Sequence, residues 1–190
     1  MASSLKPFYF LRHGETDWNR LHMYTGSQDI PLNQTGEKQA TEAADILKKN
    51  NIKHIVTSPL IRATKTAEII NKILKANVTV VEELSECCWG EYEGKPYSDN
   101  NFLQKWLDGN HFNGVEHVHD FEKRVMIGFN NALELRGQVL IIAHGAVYGA
   151  IQRIFGLPLI NLKNCYPFFH RPPDEQNHLW SVYGLRDEYK

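Results

Sequence analysis

A three-layer α/β/α fold, with a mostly parallel central sheet between two layers of helices, is the architecture this chain predicts. Three observations carry that expectation. Gln138–Ala143 (QVLIIA) is a near-continuous apolar run, as expected of a central parallel strand covered on both faces. Strand-like and helix-like stretches alternate along the chain. Three of the strand-like runs pass abruptly into polar residues, as FYFLRHG, HIVTSPLIRA and VLIIAHG. In parallel sheets, ligands bind beyond the carboxyl ends of the strands, so those three junctions are the first places to look for chemistry.

The elements follow in order. Phe8–Leu11 predicts a buried strand, and Arg20–Gln34, polar and broken by Gly26 and Pro31, predicts a loop. Thr35 begins a near capping box, and Ala40, Ala43, Ala44 and Leu47 share one face of the helix after it. His54–Thr57 is the next strand. Pro59 sits at a helix start, and Ile61, Thr64, Ala67 and Ile70 carry that helix onward. Val78–Val81 is β-branched and predicts a third strand. From about residue 82 to 117 the pattern dissolves among glycines, with a short helical piece near Asn101–Leu107. Asp120–Leu135 and Gly145–Phe155 read as helices, His178–Tyr183 as a last strand, and Asn164–Asn177 as loop. The expected organisation is a single domain over residues 1–190 with an excursion at about 82–117.

Bulk properties exclude several classes. The chain has 190 residues, is 42% hydrophobic and 23% charged, and carries a net charge of −1. That balance gives no general attraction to nucleic acid or an anionic membrane, so any anion site must be local. No window reaches the roughly 18 apolar residues of a spanning helix, and MASSLKPFYF does not resemble a signal peptide. Cys87, Cys88 and Cys165 form an odd set without zinc spacing, which suits a reduced, cytoplasmic protein.

His13-Gly14 and His144-Gly145 share one grammar, a strand followed by His-Gly. Glycine there lets the chain turn sharply or approach a ligand closely. A single histidine is usually a satisfied core or surface residue; two in the same setting can face one pocket. Arg62 lies early in a helix, where the dipole disfavours a cation, so an anion shared with Arg12 would account for it. Glu82, Glu83, Glu86, Glu91 and Glu93 crowd the excursion. Most belong to a solvated loop, but one beside the histidines would complete an acid/base set.

RHGETDWN, TSPLIRATKTAE, LSECCWGEYEG and VLIIAHG, in that order, resemble the histidine phosphatase (phosphoglycerate mutase-like) superfamily from about Phe8 to Phe155. The resemblance implies the phosphoglycerate mutase-like fold and a covalent mechanism. His13 is then the nucleophile that becomes phosphohistidine, with its second ring nitrogen donating to a backbone carbonyl. Arg12, Arg62 and His144 would hold the phosphoryl oxygens. Asn19, Thr16 and Thr25, with the backbone near Gly14, Gly26 and Gly145, would add neutral contacts. Glu86 would protonate the leaving oxygen and then activate water. No cofactor or metal is implied; His111, His117 and His119 are the best alternative metal set. The implied partner is a small phosphorylated metabolite, not nucleic acid or a membrane.

The superfamily contains mutases and phosphatases. Dedicated mutases resemble E-R-H-Y-G after the acid, whereas this chain has Glu86-Cys87-Cys88-Trp89-Gly90 and few cations from Gly94 to Glu116. That pattern favours a phosphomonoester hydrolase over a phosphoglycerate mutase. Non-catalytic binding members would lack His13, Glu86, His144 or an arginine, and all are present. Gly114-Val115-Glu116-His117 replaces the Gly-Gly-Glu-Ser of relatives, and Cys165–Asn177 matches no family pattern. That last segment would cover the pocket or pack against a second subunit in a homodimer.

Overall fold

The computed structural model describes residues 5–97, 101–160 and 162–185. Residues 1–4 of the N-terminal stretch and 98–100 of the excursion lie outside the described residues. Six strands form one sheet in the order β3-β2-β4-β1-β5-β6. They are β1 (Phe8–Arg12), β2 (Ile52–Thr57), β3 (Asn77–Val80), β4 (Gln138–Ala143), β5 (Phe168–Arg171) and β6 (Ser181–Gly184). The first four pair with one another in parallel; β5 and β6 add an antiparallel edge beside β1. The expected three-layer α/β/α architecture is therefore the observed one.

Alternation along β1 divides the core. Phe8 and Phe10 face α5 (Val118–Glu134) and α6 (Gly145–Phe155). Tyr9 and Leu11 face α2 (Gln34–Leu47) and α3 (Ile61–Leu74). Successive strand residues point to opposite faces, so FYFL, apolar throughout, must be covered on both. Two further helices are α1 (Asp17–Arg20) and α4 (Phe102–Leu107); Phe102 and Trp106 of α4 join the Phe8 and Phe10 side of the core. Among the described residues no helix is long and apolar enough to cross a membrane.

Several local expectations are corrected. The α2 cap is Asn33, not Thr35: its side chain accepts from Gly36 N at 2.9 Å, which satisfies a free amide of the first turn. The loop expected from Arg20 is preceded by the single turn of α1, whose N-terminus is closed by a Thr16/Asn19 capping box. In α3, Ala67 and Ile70 are buried as expected, but in the first turn Arg62 and Ala63 are buried in place of Ile61 and Thr64. Ile61 is 43% exposed while Arg62 is 0% exposed, the reverse of a reading by hydrophobicity. Asn164–Asn177 is not all loop, because Phe168–Arg171 pairs with β1 as β5. Its rings pack on the sheet instead of covering the pocket; Phe169 lies 4.9 Å from Tyr9. The last strand starts at Ser181, three residues late, because Asp174 and Asn177 accept from Gln176, Asn177 and Leu179 amides and hold that stretch in a turn.

Candidate active site

Strand register brings the two histidines together. Arg12 pairs with Ala143 across β1 and β4, so His13 and His144 are the next residues beyond the same edge. His13 N donates to Ala143 O at 3.0 Å and Ser58 N to Ile142 O at 3.1 Å, extending the ladder past the strand ends. The imidazole centroids lie 5.1 Å apart. His144 caps α6 and its Nε2 lies 2.7 Å from Ser58 Oγ.

His13 Nδ1 is 2.7 Å from Gly14 O. A carbonyl only accepts, so Nδ1 carries the proton and Nε2 keeps its lone pair. Burial pushes the His13 pKa well below its ordinary value, and the charges of Arg62 and Arg12 push the same way; the Gly14 contact opposes them. His144 is shifted in the same direction, again chiefly by burial and then by Arg62. Both rings are neutral near pH 7 in this state.

Arg62 is held by loop carbonyls. Nη2 donates to Gly26 O and Nη1 to Gln28 O, each at 2.7 Å. Burial lowers its pKa to about 10, which leaves it charged at neutral pH. Gly26 sits at φ +54°, and a β-carbon there would meet the Glu93 carboxylate. Glu93 in turn accepts from Ser27 N, Ser27 Oγ, Gln28 Nε2 and Trp89 N, and so pins this loop. Gly14 is needed for another reason than expected. Its N–H is spent on Thr66 Oγ1 at 3.0 Å, and a β-carbon would come within 2.6 Å of Gly36 O. It is a packing contact with α2 and offers no amide to a ligand. Gly145 meets no such constraint, since nothing lies within 4 Å of an added β-carbon.

Thr16 and Asn19 hold each other by reciprocal capping bonds of 3.2 Å. Asn19 Oδ1 also accepts from Asn164 Nδ2, which donates to His13 O at 2.9 Å. Asn19 thus turns its amide nitrogen, not its oxygen, to other partners. The Glu86 carboxylate joins the excursion to α6: Oε1 accepts from Cys87 N at 3.0 Å and Oε2 from Ala146 N at 3.1 Å. A cavity of about 40 Å³ is lined by Arg12, His13, Asn19, Thr25, Gly26, Arg62 and Glu86, among others. Arg12 Nε, Arg62 Nε, Thr25 Oγ1 and His144 Nδ1 are buried without a hydrogen-bond partner among the described residues. Leaving such groups unpaired costs about 1–3 kcal/mol each, and an oxyanion is the ligand that accepts from guanidinium donors. The arrangement offers a neutral nitrogen nucleophile beside two guanidinium groups and a carboxylate.

Sequence reasoning missed Arg124. Its guanidinium makes five hydrogen bonds: to both Glu116 carboxylate oxygens (2.6 and 2.8 Å) and to the carbonyls of Glu83, Ser85 and Glu86. It therefore fixes the backbone that carries Glu86. Glu116 precedes α5 and Arg124 lies within it, so no single periodicity links them. His111 stacks on His117 with centroids 4.2 Å apart, and His119 meets His117 edge to face at 5.1 Å. Among the described residues no group of three or more His, Cys, Asp or Glu side chains is arranged to hold a metal ion.

A model of the histidine phosphatase superfamily (branch 1) matches residues 8–167. The chain belongs to the histidine phosphatase superfamily. Its relatives in that superfamily carry both kinds of name. The uncharacterized phosphatase PhoE of Bacillus subtilis is 39% identical over 143 residues, 74% of this chain and 72% of that one. The probable phosphoglycerate mutase GpmB of Photorhabdus laumondii is 31% identical over 173 residues, 83% of this chain and 80% of that one. Among solved histidine phosphatase-like structures, the phosphoglycerate mutase of Thermus thermophilus superposes with a TM-score of 0.74 at 26% identity, covering 95% of this chain and 99% of that one. The mycobacterial glucosyl-3-phosphoglycerate phosphatase Rv2419c, in complex with VO3, has the same fold, with a TM-score of 0.75 at 24% identity over 95% and 98% of the two chains.

Proposed function

We propose that this histidine phosphatase hydrolyses phosphomonoesters of small molecules through a phosphohistidine at His13. The observation that carries the reading is the Nδ1 contact to Gly14 O, which leaves a neutral Nε2 beside Arg12 and Arg62. In the first step Nε2 bonds to phosphorus, the ester P–O bond breaks, and Glu86 gives its proton to the leaving oxygen. Water then bonds to phosphorus, the P–N bond breaks, and the water proton returns to Glu86. Arg12, Arg62 and His144 bear the phosphoryl oxygens, and Asn19 and Thr25 add neutral donors. No step calls on a metal.

The mutase alternative rests on the relatives named GpmB. Neither Cys87 nor Cys88, which stand where mutases resemble Arg-His, lines the cavities at the site. The test compares wild type with His13→Ala on an aryl phosphate. Wild type should turn over and form an adduct that is labile in acid and stable in alkali; His13→Ala should do neither. Equal rates, or an acid-stable adduct, refute the mechanism. Interconversion of phosphoglycerates with a bisphosphate primer, faster than hydrolysis, would favour the mutase.

A further inference from the structure

Beside the small polar cavity lies a second of about 330 Å³. The two share Arg12, Glu86, Trp89 and Tyr97, so they form one continuous site. Pockets of about 300–1,000 Å³ are the size that buries a drug-sized ligand. The walls of this one come from the excursion: Trp89, Tyr97, Leu103, Trp106 and Leu107. Trp106 Nε1 is spent on Glu116 O at 2.8 Å, so the indole gives the cavity an apolar face. The floor is α6, where Gly145 and Gly149 are one turn apart and bring no side chain into the space. The cavity ends at Arg153, whose Nε and Nη2 are engaged by Glu122 Oε1 at 2.9 and 2.8 Å. From Gly145 to Arg153 the floor runs two turns of α6, about 12 Å. Leu103 and Leu107 are 44% and 38% exposed, apolar side chains left at the rim of a site built to hold a charged group.

Resting on the phosphatase reading, the geometry points to a substrate class: phosphomonoesters whose alcohol portion is an extended apolar body, seated between α4 and the glycine floor of α6. The continuity of the two cavities identifies the occupant, because a phosphoryl group held at Arg12 and His13 directs its ester oxygen past Glu86 into this space. A short, multiply charged ester such as phosphoglycerate leaves most of the cavity unfilled; of the two arginines among its lining residues, Arg12 belongs to the phosphoryl end and Arg153 is paired with Glu122.

The test compares hexyl phosphate with ethyl phosphate. Both are primary alkyl esters, so their leaving groups are alike and only the body differs. Wild type should favour the hexyl ester in kcat/KM by about 10-fold or more, since a single methylene in an apolar pocket is worth about that much. Gly149→Leu fills the floor, and its added β-carbon meets only Arg153 Nη1 at 3.4 Å. The hexyl/ethyl ratio should fall toward unity in this variant. Leu103→Glu, at the rim, should lower the ratio in the same direction and keeps the readout should Gly149→Leu fail to fold. A wild-type ratio near one, or a preference that survives both variants, overturns the proposal while leaving hydrolysis intact. Absence of turnover on both esters and on 4-nitrophenyl phosphate, with no phosphoenzyme, overturns the parent reading and this one with it.

Discussion

Glu86→Gln isolates proton donation from everything else the side chain does. The substitution keeps shape and volume. In the native protein each carboxylate oxygen accepts a backbone amide, Cys87 N at 3.0 Å and Ala146 N at 3.1 Å. Glutamine retains one acceptor and sets an NH2 against the other amide. The loss is one hydrogen bond, about 1 kcal/mol, and the charge at the α6 N-terminus, about 0.3–1 kcal/mol. For a chain of this size that lowers Tm by roughly 3–8 °C, well short of unfolding. The catalytic loss should be larger, about 10²–10⁴-fold, the usual worth of a placed general acid. It should also depend on the leaving group. Phenyl phosphate expels a phenolate whose conjugate acid has a pKa of about 10 and needs the proton. 4-Nitrophenyl phosphate expels a stable phenolate that does not. We expect kcat/KM to fall at least about 100-fold on phenyl phosphate and less than about 10-fold on the nitrophenyl ester. Using kcat/KM confines the comparison to phosphoryl transfer onto the enzyme. Water activation is impaired separately, so the nitrophenyl ester should give a burst and a trapped phosphoenzyme. Equal losses on the two esters would refute Glu86 as the proton donor.

Arg124→Met should lower Tm by roughly 6–12 °C, from about 3 kcal/mol for stranding the Glu116 carboxylate, and Glu116→Met in the same chain should restore much of it. Because Arg124 holds the Glu86 carbonyl, the single variant should also lose more activity on phenyl than on nitrophenyl phosphate; uniform loss would mark it as structural only. Stability should fall with pH below about 6.5, where the unfolded chain protonates histidines that the native state keeps neutral. His13, His144 and His170 are all lowered by burial, His170 to about 3. Each contributes up to about 1.4 kcal/mol per pH unit, with the unfolded state taking up the protons; urea midpoints that stay flat from pH 6.5 to 5 without phosphate would show these rings charged when folded. Thiol alkylation of the folded protein should mark Cys88 and spare Cys87, which is fully buried with its thiol pKa pushed up by desolvation; modification of Cys87 at a similar rate would contradict that packing.

Much of the placement of the candidate site was legible in the sequence, because its parts sit at fixed offsets from strand ends. RHG and AHG follow β1 and β4, and parallel pairing of adjacent strands aligns their carboxyl ends whatever the side chains. The apolar runs likewise determined the layers, since a strand apolar on both faces must be covered twice. Tertiary structure decided what depends on contacts between distant segments. The chain gives Ile61 and Arg62 the look of a buried and an exposed residue; the carbonyls of Gly26 and Gln28 reverse them. Gly14 looks like a ligand-binding glycine, and only the approach of α2 shows that Gly36 requires it. Arg124 looks like any helix cation until the excursion folds over it. The aromatic cavity exists only because α4, near in sequence to none of its partners on α6, closes over the glycines there. Local offsets and periodicity are written in the chain, whereas hydrogen-bond partners of a buried charge and the shape of a pocket between distant elements are properties of surfaces that meet only on folding.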